Sequence, residues 1–363
     1  MKKITFLISS IGSSGGTERV TSNICNKLTG MGYEVSIISL YNGYKSYFKL
    51  DDKIKLLSFY SEKISFSKKS PSIIYKLRDY LKKNSIDILI NVDSILTLYS
   101  IPATILLHTK NICWEHFNFN INLGLKKRKY ARYLASFCCH QIITLTERDK
   151  DLWIKGSYIR SKINVIPNPS PFVNIPIELN QASSKIAISV GRLTDQKGFD
   201  MLLRAWKKVL DERKDWTLKI IGSGSNEDFL KKLAEDLNIN SHIIWVKHSD
   251  NIIEHYKSAA LYIMSSRFEG LPMVLLEAAS MGVPIVSFDC DTGPREIIKD
   301  NTGWLCEDGN IDALANTLIH AMSVLDEPEV YNSYRISSKK NIDKNFSIEA
   351  IISKWVDIIE DRA

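Results

Sequence analysis

The sequence has 363 residues, which is long for one domain and predicts two compact units. Its 44% hydrophobic and 25% charged residues are typical of a globular protein and exclude a disordered chain. The net charge of +7 is unevenly spread: residues 1–170 carry 26 Lys and Arg against 12 Asp and Glu, and the remainder carries 22 against 29. The basic first half predicts an anionic partner, which could be nucleic acid, acidic lipid or a phosphorylated substrate.

The apolar runs and the cysteines predict a cytoplasmic protein that does not cross a membrane. No run reaches the roughly 18 apolar residues of a membrane-spanning helix. The apolar run at residues 4–11 is short and contains polar residues, and a glycine-rich turn follows it where a signal peptide would have a cleavage site. The six cysteines form no C-x-x-C pair, so we expect reduced packing residues.

Short β-rich apolar runs alternate with segments of helical period in both halves. The runs that predict strands in the first half are residues 3–8, 34–40, 54–58, 86–92, 103–107, 141–145 and 163–166. Those in the second half are residues 186–190, 217–221, 242–246, 261–265 and 284–288. One helix is clear, because its apolar residues share a face; they are Phe199, Leu202, Leu203, Trp206, Val209 and Leu210. This alternation predicts an α/β fold with parallel sheets wrapped on both faces.

A Pro-Asn-Pro-Ser-Pro stretch interrupts the alternation, since so many prolines cannot continue a helix or a central strand. We therefore place a hinge near 167–184, with an N-terminal domain at 1–168 and a C-terminal domain at 169–345. Residues 346–363 predict a last helix with Ser347 as its N-cap, and we expect its apolar face to pack back toward the N-terminal domain. Ligands of doubly wound domains bind at the carboxyl ends of the strands, so two facing domains predict a cleft site.

A glycine-rich turn follows the first predicted strand. Gly15 and Gly16 stand before a helix whose N–H groups and dipole can meet an anion or a reacting sugar. The turn is not a G-x-G-x-x-G sequence, and no acidic residue clearly closes the next strand, so a dinucleotide site has little support. A plain tight turn between strand and helix remains the alternative.

Two cations flank the turn after the strand predicted at 186–190. Arg192 and Lys197 lie five residues apart at the carboxyl end of that strand. There they could clamp a diphosphate and neutralise a leaving group. The alternative is a solvated basic turn.

Two glutamates lie in the Gly/Pro loop and the helix that follow the strand predicted at 261–265. Glu269 is in the loop, and Glu277 is about two turns into the helix. The N-terminus of that helix offers free N–H groups to phosphate, and a carboxylate at each end can accept hydrogen bonds from hydroxyl groups.

The segment Phe-Glu-Gly-Leu-Pro-x4-Glu-Ala around Glu269 and Glu277 resembles the E-x7-E motif of family-4 retaining glycosyltransferases of the GT-B architecture. Four further segments stand in the order of that family, so the resemblance covers essentially the whole chain. They begin at Gly15, Gly191, Ile221 and Gly282. The resemblance implies the GT-B fold, in which two doubly wound Rossmann-like domains face a cleft.

The resemblance also implies a role for each matched residue. Arg192 and Lys197 would hold the donor diphosphate, and Glu277 would bond the ribose hydroxyls. Glu269 would contact the transferred sugar. Further donor contacts would come from the N–H groups that open the helix, at Gly270, Leu271, Met273 and Val274, and from the first turn at Gly15 and Gly16.

A histidine in the segment 111–118, placed after the strand predicted at 103–107, matches a His-containing loop of the family. By resemblance, His116 would bond the donor sugar beside the reacting carbon. A lone histidine beside aromatic residues can also be a packed residue, which is the alternative.

The reaction implied is retaining transfer of a hexose or N-acetylhexosamine from a nucleotide sugar, with neither a metal nor another cofactor. Arg192, Lys197 and a helix N-terminus would stabilise the leaving diphosphate. Asp289-Cys290-Asp291 has the spelling of a D-x-D metal motif, but it lies in a loop where family members keep a Gly-Pro-Arg-Glu ending. The loop resembles those of hexosamine and galactose transferases, and this resemblance implies a uridine donor.

A basic segment rich in tyrosine follows the His116 loop. Its mixture of cations, leucines and tyrosines is typical of a helix at an anionic membrane or lipid pyrophosphate. We expect its cations to form an acceptor and membrane surface; they are Lys126, Lys127, Arg128, Lys129 and Arg132. The alternative is a solvated basic helix. Similar bacterial enzymes extend polyprenyl-pyrophosphate glycans, so the resemblance implies a lipid-linked glycan acceptor and a protein at the inner face of the cell membrane.

Other function classes remain open. The chain could be a GT-B epimerase or phosphorylase, although the E-x7-E segment argues against both. It could also be a non-catalytic nucleotide-sugar binder or membrane-surface scaffold; such a protein would be expected to lose Glu269 or Lys197, and both are present. Nucleic-acid binding has the least support, because the basic segments lack a recognition helix or stacking aromatics.

Overall fold

The computed structural model of the protein describes most of the chain, namely residues 2–63, 66–172, 175–177, 184–247, 249 and 251–362. Much of the predicted hinge, residues 173–174 and 178–183, lies outside the described residues. The chain divides into two compact units, each with its own sheet. The first consists of Met1–Pro169 with Ile348–Ala363, and the second of Ser170–Ser347.

The first unit has a parallel sheet, with seven strands among the described residues. In chain order they are β1 (Lys3–Ile8), β2 (Glu34–Tyr41), β3 (Lys55–Tyr60), β4 (Ile88–Val92), β5 (Lys110–Trp114), β6 (Gln141–Thr144) and β7 (Lys162–Val165). They lie in the order β3-β2-β1-β4-β5-β6-β7. The helices that precede the second unit are α1 (Gly16–Gly30), α2 (Phe66–Asn84), α3 (Thr97–Thr104), α4 (Lys126–Cys138) and α5 (Glu147–Gly156).

The second unit repeats this plan, with six parallel strands in the part that the structure describes. They are β8 (Ile186–Val190), β9 (Thr217–Ile221), β10 (Ile243–Val246), β11 (Leu261–Met264), β12 (Ile285–Phe288) and β13 (Gly303–Cys306), in the order β10-β9-β8-β11-β12-β13. Its helices are α6 (Phe199–Glu212), α7 (Glu227–Asp236), α8 (Ile252–Lys257), α9 (Met273–Ser280), α10 (Pro294–Ile297), α11 (Ile311–Leu325) and α12 (Pro328–Asn345).

Burial explains why these segments fold as they do. Every residue of β4, with the sequence Ile-Leu-Ile-Asn-Val, is buried, as expected of a parallel strand covered by helices on both faces. In α6 the predicted apolar face is buried, and Trp206 on it is fully enclosed in the core of the second unit. The predicted α/β fold with two doubly wound parallel sheets is confirmed.

A last helix, α13 (Ile348–Ile359), belongs to the first unit. Its Trp355 is fully buried there, with its ring centroid 4.8 Å from that of Trp114 and 6.4 Å from that of Phe6. An aromatic cluster therefore joins the end of the chain to the middle of the first sheet. Within the described residues, no helix combines the length and the apolar character needed to cross a membrane.

The strand predicted at 103–107 is wrong. These residues end α3 and form the turn after it, where Leu106 is 93% exposed at a φ of 60°. The strand of this region is β5, which the sequence analysis treated as part of a loop. The polar residues of β5 made the sequence look exposed, although the strand is buried. Asn111 is buried, and its amide donates to the hydroxyl of Ser100 at 3.1 Å. The short strand β13 was also missed.

Candidate active site

In the second unit, a lysine and a glutamate from two loops form an ion pair. Lys197 Nζ lies 2.6 Å from Glu269 Oε1. Lys197 follows β8 and Glu269 follows β11, and these strands are neighbours in the sheet. Both loops therefore leave the carboxyl edge of the sheet, where doubly wound domains bind ligands. The side chains are 16% and 8% exposed, so the pair is mostly, but not fully, withdrawn from water.

Backbone contacts lock the two loops together. The N–H of Arg267 donates to the carbonyl of Gln196 at 2.8 Å, and the Ser265 hydroxyl donates to the carbonyl of Lys197 at 3.0 Å. Gly198 has a φ of 63°, and a Cβ there would lie 2.1 Å from the carbonyl oxygen of Ser265. Only glycine fits such a close approach, so the loop presents Lys197 from a fixed backbone.

The second glutamate of the motif is held by a tyrosine. Glu277, on α9, is buried, and its Oε2 accepts a hydrogen bond of 2.9 Å from the hydroxyl of Tyr256 on α8. Tyr256 is fully buried, and the sequence analysis did not name it. The residue type could have indicated Tyr256 from the sequence, because the hydroxyl of a buried tyrosine needs a hydrogen-bond partner.

The start of α9 lies between the two glutamates. Pro272 stands at the N-cap position, and no side chain of the described residues caps the helix. Because α9 follows β11, its first turn, with its N–H groups, lies at the carboxyl edge of the sheet. The residues predicted to bind phosphate open this helix or precede it: Gly270, Leu271, Met273 and Val274. Leu271 is buried, and the other three are partly exposed.

The remaining donor residues have plainer surroundings. Arg192 lies in the loop after β8, and its side chain is exposed. In the first unit, Gly15 and Gly16 open α1, and a Cβ at Gly15 would come within 2.3 Å of a carboxylate oxygen of Glu18. The glycine at 15 thus makes room for the glutamate of the first helical turn.

His116 lies just after β5 in the first unit. Its side chain is 8% exposed, and its ring lies 4.4 Å from that of Trp114. Burial disfavours the charged form and lowers the pKa of His116 to about 4, so the imidazole is neutral at pH 7. Its Nε2 has no hydrogen-bond partner among the described residues. A neutral ring with an unpaired nitrogen can bond a ligand hydroxyl.

Two of the five cations expected on a membrane surface are buried, so that prediction is wrong for Arg128 and Arg132. The reason is the helical period: residues four apart share a face of α4, and this face turns inward. Arg128 Nη2 lies 2.6 Å from Asp93 Oδ2, and Arg132 Nε lies 2.9 Å from Glu115 Oε2. Neither acid was predicted from the sequence as a partner of these arginines.

The other three cations are exposed along α4, as expected: Lys126, Lys127 and Lys129. Exposed aromatic side chains accompany them, since Tyr130 is 68% and Phe137 49% exposed. Tyr158, after α5, is exposed next to Phe137, with ring centroids 6.4 Å apart. These side chains give the surface both positive charge and apolar area.

The first aspartate of the D-x-D sequence in the second unit is bonded to an arginine. Asp289 accepts a hydrogen bond of 3.0 Å from Arg295 Nε, and Asp291 is exposed. Across the parts of the chain that the structure describes, no three His, Cys, Asp or Glu side chains are grouped to hold a metal ion.

Comparison with known proteins identifies the class to which this fold and site belong. The family model "Glycosyltransferase Family 4" matches residues 14–170, and the model "Glycosyl transferases group 1" matches residues 174–342. The chain belongs to the family-4 glycosyltransferases of the GT-B architecture.

The similarity to known glycosyltransferases extends over nearly the whole chain. It is 38% identical over 362 residues to an uncharacterized glycosyltransferase of Haemophilus influenzae, covering 99% of this chain and 100% of that protein. It is 29% identical over 374 residues to the amylovoran biosynthesis glycosyltransferase AmsD of Erwinia amylovora, covering 99% and 100%. The structure of the lipopolysaccharide outer core galactosyltransferase WaaB shares the fold, with a TM-score of 0.78, 23% identity and coverage of 99% and 100%.

Proposed function

We propose that the protein is a retaining hexosyltransferase that moves a hexose or N-acetylhexosamine from a nucleotide sugar, preferably a UDP-sugar, to a glycan acceptor. The observation that carries this proposal is the Lys197–Glu269 pair beside the uncapped start of α9. A cation, a carboxylate and free N–H groups at one strand edge suit the phosphates and hydroxyls of a nucleotide sugar.

In the proposed reaction, the acceptor oxygen forms a bond to the anomeric carbon as the bond to the diphosphate breaks. The acceptor attacks on the face that the diphosphate leaves, and its proton passes to the departing phosphate oxygen. Lys197, Arg192 and the start of α9 stabilise the negative charge that develops there, without a metal ion. Glu277 binds the ribose hydroxyls, and Glu269 binds the transferred sugar.

His116 acts on the same sugar in this proposal. Its neutral ring and unpaired Nε2 support a hydrogen bond to a hydroxyl beside the reacting carbon. A charged imidazolium would repel an oxocarbenium-like carbon, so a pKa near 4 favours this role at neutral pH.

We further propose that the acceptor is a lipid-pyrophosphate-linked glycan of a surface polysaccharide and that the protein works at the inner face of the cell membrane. AmsD, by its name, serves amylovoran biosynthesis, which supports the polysaccharide. The exposed Lys126, Lys127 and Lys129 with Tyr130 and Phe137 support the membrane, because cations attract anionic headgroups and aromatic rings settle at the interface.

A panel of UDP- and GDP-sugars tests the donor. We expect a UDP-hexose or UDP-N-acetylhexosamine to raise the melting temperature and to be turned over equally in EDTA and in magnesium, with retention seen by NMR of the product. Glu277→Ala should weaken donor protection, whereas Lys231→Ala, which removes a partly exposed ion pair on α7, should not.

Three results would contradict parts of the proposal. Protection without turnover by any acceptor would favour a nucleotide-sugar binder. Activity lost on chelation and restored by magnesium would overturn the metal-free mechanism. An inverted product would overturn retention.

A further inference from the structure

A cluster of four charged side chains, three of them buried and one partly buried, lies beneath the loop that carries His116. Asp93 follows β4 and Glu115 follows β5, while Arg128 and Arg132 project from α4. Glu115 is fully buried, Arg132 is 1% exposed and Arg128 is 6% exposed. Although burial alone would raise the pKa of Glu115, Arg132 and Arg128 hold it below its ordinary value, so the carboxylate is charged.

The carboxylate of Glu115 bonds both to the cluster and to the loop. Its Oε2 accepts from Arg132 Nε at 2.9 Å and from the Ser94 hydroxyl at 2.5 Å. Its Oε1 accepts from the backbone N–H groups of His116, at 3.1 Å, and Phe117, at 3.2 Å. The peptide that bears the imidazole is therefore tied to a side chain that is itself fixed by an arginine.

Arg132 holds the same loop further along. Its Nη1 donates to the carbonyl of Phe119 at 2.6 Å, and its Nη2 donates to the carbonyl of Ile121 at 2.8 Å. The N–H of Phe119 donates in turn to Asp149 Oδ1 at 2.7 Å. Every nitrogen of the Arg132 guanidinium is thus used inside the unit, two of them on this loop.

Stability alone does not account for such a cluster. Taking charges out of water costs free energy, and apolar residues of similar volume often stabilise a core as well or better. Asp93 of the cluster also has a φ of 110°, a backbone conformation that is strained for a residue other than glycine. What the charges provide, and apolar residues cannot, is a set of directed hydrogen bonds to one loop.

We propose that Glu115 and Arg132 are positioning residues that fix the His116 loop for sugar transfer. The inference rests on the proposed role of His116 in that reaction. Glu115 fixes the backbone at His116 through its hydrogen bonds. The planar guanidinium of Arg132 fixes Glu115 and, further along the loop, the carbonyls of Phe119 and Ile121. Neither residue touches the substrate.

The test compares Arg132→Lys and Glu115→Gln with the wild type and with Arg78→Lys. Lysine keeps the charge but cannot reach Glu115 and two carbonyls at once. Arg78 is a matched control, because it clamps the carbonyls of Ala103 and Ile105 in the same unit away from His116. The two readouts are steady-state kinetics with the best UDP-sugar and NMR titration of the His116 ring, assigned with His116→Gln.

We expect both test variants to lower kcat about tenfold and to change the donor KM less than about twofold, because misplacement affects the reacting geometry more than the phosphate contacts. The His116 signal should shift, and its pKa should move toward the ordinary value as the ring loosens. Arg78→Lys should change neither readout.

Two other outcomes separate the inference from the proposed function. If the variants melt earlier but keep kcat and the His116 titration of the wild type, the cluster is only structural and the inference fails. If the wild type turns over no nucleotide sugar, the proposed function fails, while the NMR titration alone still shows whether the cluster positions His116. Should Arg132→Lys not fold, Glu115→Gln carries the same comparison.

Discussion

Two ion pairs of this enzyme, one in each unit, join similar residues, and we propose opposite purposes for them. Lys197 and Glu269 meet at 2.6 Å with side chains 16% and 8% exposed, while Arg132 and Glu115 meet at 2.9 Å with 1% and 0% exposed. The first pair stays within reach of solvent at the strand edge. The second is enclosed, and most of its other hydrogen bonds go to backbone groups of the His116 loop.

The difference follows from chemistry as well as from burial. A lysine is a point charge on a flexible stem, so Lys197 can turn from Glu269 to a phosphate. A guanidinium is a rigid fork, and Arg132 is committed through all three nitrogens. A charge that serves a ligand must keep some freedom, whereas a charge that shapes a loop must have none.

The largest effect should come from breaking the sealed pair outright. Arg132→Met leaves the Glu115 carboxylate buried without its main counter-charge, and we expect a loss of about 3–5 kcal/mol in the free energy of unfolding. Urea denaturation measures it. Lys207→Met, which removes an exposed pair with Asp211 at 3.4 Å, should cost less than about 1 kcal/mol. Equal losses would mean that burial does not separate these pairs.

Breaking the Lys197–Glu269 pair should instead lower the turnover rate. In the proposed reaction Lys197 faces the leaving diphosphate, so we expect Lys197→Ala to lower kcat by about 10² or more with only a small change in melting temperature. Lys231→Ala, which breaks the 2.7 Å partly exposed pair with Glu227 in the same unit, is the control and should keep full activity. A Lys197→Ala enzyme with a near-normal rate would show that the diphosphate lies elsewhere.

The positions of the residues around the Lys197–Glu269 pair could be predicted from the sequence better than those around the Arg132–Glu115 pair, for a physical reason. The predicted donor residues follow apolar strands along the chain, and parallel strands bring the residues after their carboxyl ends to one edge of the sheet. They are Arg192, Lys197, Glu269 and Glu277. The pairing of Lys197 with Glu269 and the hydrogen bond of Tyr256 to Glu277 depend on which elements are neighbours in the fold. No pattern along the chain contains that information.

In the first unit the same kind of reasoning failed at α4. Five cations among seven residues looked like one surface, although Arg128 and Arg132 are one helical turn apart and share the inward face. Their partners, Asp93 and Glu115, follow strands, and one of these strands, β5, was hidden by its polar spelling. The misplaced strand therefore concealed both the cluster and the origin of the His116 loop.

The exposed face of α4 yields the next effect in size. Each cation near an anionic membrane contributes roughly 1 kcal/mol, so Lys127→Glu/Lys129→Glu should lower affinity for anionic liposomes at least about tenfold. Donor hydrolysis without acceptor should be unchanged. The control is Lys82→Glu/Lys83→Glu in the last turn of α2. Flotation of both double variants like the wild type would leave α4 a solvated helix and favour a soluble acceptor.

The smallest effect concerns pH and the sealed region around His116. Its pKa is lowered to about 4 in the folded protein, whereas the unfolded chain has the ordinary value of about 6.5. Between these values the unfolded state binds more protons, so this group's contribution to stability is complete above pH 6.5 and is lost as pH falls toward 4. From pH 6.5 to 5.5 the loss should be about 1 kcal/mol.

The comparison with His116→Asn isolates that contribution. Asp149, whose pKa burial raises to about 8, adds an opposite slope, since its cost appears as pH rises from about 4 to 8, but both proteins share it. The stability of the wild type relative to His116→Asn should therefore fall by about 1 kcal/mol between pH 6.5 and 5.5 in urea denaturation. If the stability of the two proteins changes with pH in parallel, the pKa of His116 is not lowered in the folded state. Burial would then not be what keeps the imidazole neutral.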